Sequence, residues 1–249
     1  MGVRDREEEK ERGIPHLRHD LRAVPPPALK AHDSIVAVLY AGRVARWLIP
    51  SARRAGFSPN QVTLGSLAVT LVAALLAAFG DRTAWIFAAI LVQAGFVLDC
   101  LDGQLARVTE RVSDFGRYLD SLTDLIKVFA LISAMTLSRL RHGAGPAVCA
   151  LGALAFFGYL LCEYHVQLVR QFPQRSQEEY ERGAAPWKER LTIGGQKIDL
   201  AFAIGEVLMT ITLALAFGRV QEGLVTLVVL MPIQFASYTI RFWQHRYSP

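Results

Sequence analysis

Apolar residues in this chain neither alternate nor follow a single helical stripe. They are gathered into blocks of about 20 residues, the length a helix needs to cross the hydrocarbon of a bilayer, with short polar breaks between them. Six spans are expected, at Gln61–Phe79, Thr83–Leu101, Tyr118–Leu137, Gly145–Val166, Ile198–Phe217 and Gly223–Phe242. Only Gly80 and Asp81, with Arg82, separate the first two, which predicts a tight turn. The longest internal polar stretch runs from Arg170 to Lys197 and separates the fourth span from the fifth. In lipid the backbone must bond to itself, so the expected fold is all-α: a polytopic membrane protein with six transmembrane helices.

The segment ahead of the spans reads differently. Residues 1–32 are charged and then proline-rich (Pro25, Pro26, Pro27), which predicts a disordered polar N-terminal extension. From 33 to 57 the pattern is amphipathic: Ile35, Val36, Leu39, Val44, Trp47 and Leu48 alternate with Arg43, Arg46, Arg53 and Arg54. Asp33 or Ser34 would cap a helix there, and Pro50 would break or kink it. A basic amphipathic helix of this kind lies in the membrane interface or packs on the protein itself. Residues 58–249 form the expected six-helix membrane domain.

Composition sharpens this picture in one respect. The chain has 249 residues, 52% of them hydrophobic, and a net charge of +5. The positive residues flank the apolar blocks, so they point to membrane orientation and anionic lipid heads, and no nucleic-acid partner is expected. The N-terminal segment, the loop with Arg107, Arg111 and Arg117, the stretch 170–197 and the C-terminal Arg241 and Arg246 fall on one side. Arg82, Arg139, Arg141 and Arg219 fall on the other. The expected location is a cell membrane with both termini cytoplasmic. No cleavable signal peptide is expected, because the first 30 residues hold no apolar run. Cys100, Cys149 and Cys162 lack metal-type spacing and are expected to pack as small hydrophobes.

The chemistry sits between Asp99 and Asp124. Asp99 and Asp102 are three apart and Asp120 and Asp124 four apart, so each pair shares one face of a helix. Carboxylates at the edge of such apolar helices are functional suspects by default. Brought together, the two faces make a box of hard oxygen ligands suited to Mg²⁺ or Mn²⁺. Gly103 leaves room for a ligand to approach, Arg107 can present its planar fork to a phosphate, and Gly116 falls where the second helix would pack on the first. These parts describe a metal-assisted diphosphate site.

The run DCLDGQLARVTERVSDFGRYLDSLTD carries Asp99, Asp102, Gly103, Ala106, Arg107, Gly116, Asp120 and Asp124 at the eight fixed positions of a known signature. It resembles that of the CDP-alcohol phosphatidyltransferase family. The resemblance implies that the motif joins the second and third transmembrane helices. It also implies an enzyme that moves a substituted phosphate group from a CDP-linked donor to an alcohol acceptor, releasing CMP, with two divalent ions. By the same resemblance Asp99, Asp102, Asp120 and Asp124 hold metal, and Asp124, the deepest of the four along its helix, acts as base. Gly103, Ala106 and Arg107 grip the cytidine diphosphate, with Gly116 in support. Pro59, Asn60 and Thr63 resemble a Pro-Asn-x-x-Thr opening common in the family, and equally an ordinary helix entry.

The motif leaves the substrates open. The donor is CDP-diacylglycerol or a CDP-linked polar alcohol, and the lipid sits on donor or acceptor; Ser58–Ser66 and Asp120-Ser121-x-x-Asp124 are similar to the branch that makes inositol- or glycerol-phosphate products. A homodimer is also left open. Lys127 could bind an anionic acceptor or pair with an aspartate. Glu163, His165 and Glu206 could shape an acceptor pocket or bond helix to helix. The alternative class is a catalytically idle membrane scaffold or a divalent-metal transporter that reuses the aspartates. Against the scaffold, every motif position is intact. Against the transporter, no polar path continues across the membrane, Glu206 excepted.

Overall fold

The computed structural model describes residues 36–170, 192–193, 196–197 and 204–247. A π-helical turn, Ala37–Ala41, runs directly into helix α1, Gly42–Arg54. Then follow α2 Pro59–Phe79, α3 Arg82–Val108, α4 Asp114–Arg141 and α5 Ala147–Arg170. A two-residue pair of antiparallel strands, β1 Thr192–Ile193 and β2 Gln196–Lys197, precedes α6 Ile204–Phe217 and α7 Val220–Tyr247. The expected polar extension 1–32, the start of the amphipathic segment and most of the stretch 171–203 lie outside the described residues.

Five helices are long and apolar enough to cross a membrane: α2, α3, α4, α5 over Ala147–Leu168, and α7 over Val220–Ile240. The sixth apolar helix, α6, is shorter, and residues 198–203 of the span expected there are not described. The protein is therefore an all-α, multi-pass membrane protein.

Short polar caps set the helix starts. Ser58 Oγ accepts from the Gln61 amide at 3.3 Å while Gln61 returns its side chain to the Ser58 amide at 2.9 Å, a reciprocal cap that opens α2 with Pro59 in its first turn. Asp81 caps α3 through the Ala84 amide at 3.0 Å, so α2 and α3 turn on Gly80 and Asp81 as expected. Ser113 caps α4 through the Gly116 amide at 3.0 Å. The backbone between α3 and α4 turns at Glu110, whose φ of +54° is left-handed.

Helix neighbours close a ring. The helix α2 packs on α3 and α4, α3 on α6, α6 on α7, α7 on α5, and α5 on α4, while α4 also touches α6 and α7 across the middle. Small residues allow the closest approaches, as expected where no hydrophobic effect separates helix from lipid. Between α2 and α3 the contact is lined by Ala73, Ala74, Ala77, Ala88 and Ala89, all buried. Ser66 donates to the Gly95 carbonyl at 2.9 Å, and Trp85 Nε1 to the Ala77 carbonyl at 3.1 Å. At the opposite end from the motif, Arg82 ties off α6 by donating to the Leu215 and Ala216 carbonyls at 2.8 and 2.6 Å.

Two expectations need correction. Helix α1 runs through Pro50 to Arg54 instead of breaking there. Proline removes one backbone bond, but Ala45, Ile49 and Ala52 are buried with Leu101 and Leu105 of α3, which holds both turns in place. Cys149 does not pack inside; it is exposed on α5, whereas Cys162 is buried and Cys100 is half-buried.

The Gly95 contact generates a stability prediction. A Cβ added there would come within 2.4 Å of Thr70 Oγ1, so Gly95→Ala should cost on the order of 1–3 kcal/mol through overpacking. Adding Thr70→Ala removes the clashing oxygen and should restore most of the loss. Thermal unfolding of the single and double variants in detergent checks this pair.

Candidate active site

The carboxylates belong to the facing ends of two antiparallel helices. Asp99 and Asp102 lie toward the end of α3, which continues past the motif's first half to Val108 and so carries Gly103, Ala106 and Arg107 as well. Asp120 and Asp124 lie in the opening turns of α4. The fold brings carboxylate oxygens of Asp99, Asp120 and Asp124 within 4.8 Å of one another. Opposite ligands of a small hard cation stand about 4.2 Å apart, twice a bond of ~2.1 Å, so these three residues are capable of holding a divalent ion.

Asp102 stands beside this trio. It is the most shielded of the four, 5% exposed, and its Oδ2 has no hydrogen-bond partner among the described residues. Thr63 of α2 stands beside it, its hydroxyl donating to the Pro59 carbonyl at 3.1 Å. A buried carboxylate oxygen without a donor is costly, and a cation is the partner that suits it. The donor set therefore fits a hard divalent ion. Depth along α4 and shielding from solvent thus part company: Asp124 lies deepest along its helix, while Asp102 is the better buried.

One cation already enters the cluster. Lys127, 1% exposed, donates through Nζ to Asp99 of α3, across the gap between two helices that both pack on α2, and to Asp124 one turn earlier on its own helix, the latter at 3.2 Å. Of the two roles open to Lys127, the structure displays the aspartate pair.

The other motif residues line the same end of the bundle. A Cβ at Gly103 would lie 3.6 Å from an Arg107 guanidinium nitrogen, so the glycine leaves the space beside the fork clear. Arg107 Nε is buried without a partner among the described residues. Ala106 is half-buried on α3. Gly116 was expected to ease packing of the second motif helix on the first. Instead, a Cβ there would meet Ser113 Oγ at 3.2 Å and Asn60 Oδ1 at 3.5 Å, so its space is shared with the N-terminal cap and the start of α2. The Pro59, Asn60 and Thr63 opening is thereby joined to the motif by contact at both Gly116 and Asp102. Helix α1 also reaches this end: Gln104 donates to the Gly42 carbonyl at 2.9 Å. Tyr40 sits near Cys100, and burial pushes its hydroxyl up to about 12, so it stays protonated at neutral pH.

Three polar residues left open by the sequence make contacts within the bundle. Glu163 accepts from Gln167 at 2.7 Å, and His165 stacks on Tyr238 of α7 with ring centroids 5.7 Å apart. Glu206, in the first turn of α6, accepts from the Val36 amide at 3.5 Å and so meets the turn that leads into α1. Sequence reasoning missed Tyr159. It is 6% exposed on α5, buried in the interior of the bundle. The only available signal was its position four residues before Glu163 on one helical face, too common a spacing to notice.

Comparison with known proteins decides the family. The model of the CDP-alcohol phosphatidyltransferase family matches residues 57–236, well over half of the chain. The chain belongs to the CDP-alcohol phosphatidyltransferase family. Members with curated names resemble it over shorter stretches. A bifunctional IPC transferase and DIPP synthase of Aquifex aeolicus is 37% identical over 81 residues, 32% of this chain and 18% of the relative. An archaetidylinositol phosphate synthase of Pyrococcus horikoshii is 36% identical over 85 residues, 34% of this chain and 44% of the relative. The matched stretches thus span less than half the length of these relatives.

Proposed function

We propose that this protein is an enzyme that transfers a substituted phosphate group from a CDP-linked donor to an alcohol, releasing CMP, at a site built by Asp99, Asp102, Asp120 and Asp124. The observation that carries the reading is the convergence of Asp99, Asp120 and Asp124 from two helices within 4.8 Å, inside a chain of this family. The four aspartates would hold Mg²⁺ or Mn²⁺, two ions when the donor is bound. Divalent ions at that place neutralise the diphosphate and favour departure of CMP.

The chain's own residues supply the rest. Arg107 presents its planar fork to a donor phosphate, and the open space at Gly103 lets that phosphate approach α3. Ala106 keeps the face between them small, and Gly116 admits the start of α2 to the nucleotide end. Asp124 accepts the proton of the acceptor hydroxyl as the new oxygen–phosphorus bond forms and the bond to CMP breaks. The name of the Pyrococcus relative, together with the Ser58–Ser66 stretch, favours a phosphorylated polyol of the inositol kind as acceptor and a lipid on the donor. In this reading the membrane domain spans residues 58–249 with six crossings, α6 belonging to one of them. The α1 segment within 33–57 lies along the cytoplasmic interface, its exposed Trp47, Val44 and Leu48 toward lipid and Arg43, Arg53 and Arg54 toward phosphate heads. Residues 1–32 form the polar extension, and both termini face the cytoplasm. A homodimer is compatible with this arrangement.

The orientation is checked by labelling intact cells. An Arg182→Cys variant, with native cysteines replaced, should resist membrane-impermeant thiol reagents added outside; external labelling would reverse the topology. The metal is checked by CMP release from CDP-diacylglycerol with inositol phosphate, which chelator should abolish and Mg²⁺ or Mn²⁺ restore. Asp102→Asn should weaken metal binding by on the order of 10-fold or more and lower turnover, read by titrating the ion against rate. Asp124→Asn keeps shape but cannot take a proton, so CMP release should fall by ~10²–10⁴ while donor binding persists. Loss of donor binding together with turnover would instead make Asp124 a ligand only.

A further inference from the structure

Lys127 has no place in the motif and is nevertheless the largest of the fully buried side chains. It lies on α4 one turn beyond Asp124, bonded to Asp99 and to Asp124. Those are two of the three aspartates whose oxygens converge, so the lysine bridges both halves of the cluster. Beside it, Asp102 Oδ2 remains buried and without a partner among the described residues. The cluster is thus unevenly served: one edge carries a fixed internal cation, and the other is unsatisfied.

Resting on the reading of the aspartates as a metal site, we propose that Lys127 acts as a resident counter-cation that limits the donor-free protein to one divalent ion and makes entry of the second depend on the donor's diphosphate. Charge counting gives the reason. Four carboxylates contribute four negative charges and Lys127 returns one positive. With Lys127 in place the first divalent ion enters a cluster of net charge −3 but the second one of only −1, and entry of the second leaves a net positive charge at the end of the bundle that also holds the buried Nε of Arg107. Uncompensated charge in such surroundings is strongly disfavoured. A diphosphate brings the missing negative charge, so the second ion and the donor arrive together. Without Lys127, two ions would balance the four carboxylates and no anion would be needed. Lys127 is a positioning residue in this scheme: it holds Asp99 and Asp124 and touches neither donor nor acceptor.

The test counts ions, using Mn²⁺ and cytidine 5′-diphosphate as probes on full-length protein in detergent. Free Mn²⁺ followed by electron paramagnetic resonance should show one bound ion per wild-type chain alone and two with the nucleotide present. Lys127→Met should bind two without nucleotide, and Lys127→Arg, which retains the charge, should return to one. Two ions on the wild type without nucleotide, or one ion on a folded Lys127→Met, would overturn the proposal while leaving the metal site intact. Should Lys127→Met fail to fold, Lys127→Gln, which also removes the charge but keeps a polar tip beside Asp99 and Asp124, takes its place in the same count. No Mn²⁺ bound under any condition would remove the metal reading itself, and this inference with it.

Discussion

Everything at the working end of this protein follows from the cost of keeping carboxylates in an apolar bundle. Asp99 and Asp102 come from α3 and Asp120 and Asp124 from α4, two helices that both pack on α2, so the fold itself brings the like charges of Asp99, Asp120 and Asp124 together. Such a cluster persists only if cations neutralise it. Lys127 supplies one from within the bundle, and the orphaned oxygen of Asp102 marks where another is wanted. The same electrostatic demand that makes the site expensive makes it capable of holding a divalent ion.

The scaffold meets this demand through close helix packing. Gly95, Ser66 and Thr70 let α2 and α3 approach until a side-chain oxygen reaches the opposing backbone. Bonds at the far end, from Arg82 to the last carbonyls of α6 and from Arg139 to Gln221 at 2.9 Å, tie the ring together away from the site. With the distal end tied and the α2–α3 contact tight, the aspartates are held by rigid elements and not by loops. Rigid placement is what phosphoryl transfer needs, since its chemistry depends on positioning and charge more than on covalent intermediates.

Helix α1 packs against the helix that carries the first half of the motif. Its buried face, Ala45, Ile49 and Ala52, rests against Leu101 and Leu105, the residues that flank Asp102 and Gly103 on α3. Its other face exposes Trp47 at 80%. Of the two readings of this amphipathic segment, the structure displays packing on the protein through one face.

Much of this was legible in the sequence because its signals are local. Block length announces membrane helices, Gly80 and Asp81 announce the turn between the first two, and the three- and four-residue spacings place each aspartate pair on one face. The eight fixed positions between Asp99 and Asp124 were enough to indicate the family. What the sequence left open were relations between helices distant in the chain. Whether Lys127 would pair with aspartate or wait for a ligand depended on how α3 meets α4. Whether Gly116 would face α3 or the start of α2, and whether Tyr159 would be buried in the bundle, depended on rotations set by packing around the whole ring. Pro50 breaks helices in isolation, and only the bed of α3 beneath α1 kept this one whole. Periodicity fixes which face of a helix is apolar; the identity of the neighbour against that face is decided by the tertiary structure, because it emerges from the shapes of all the helices at once.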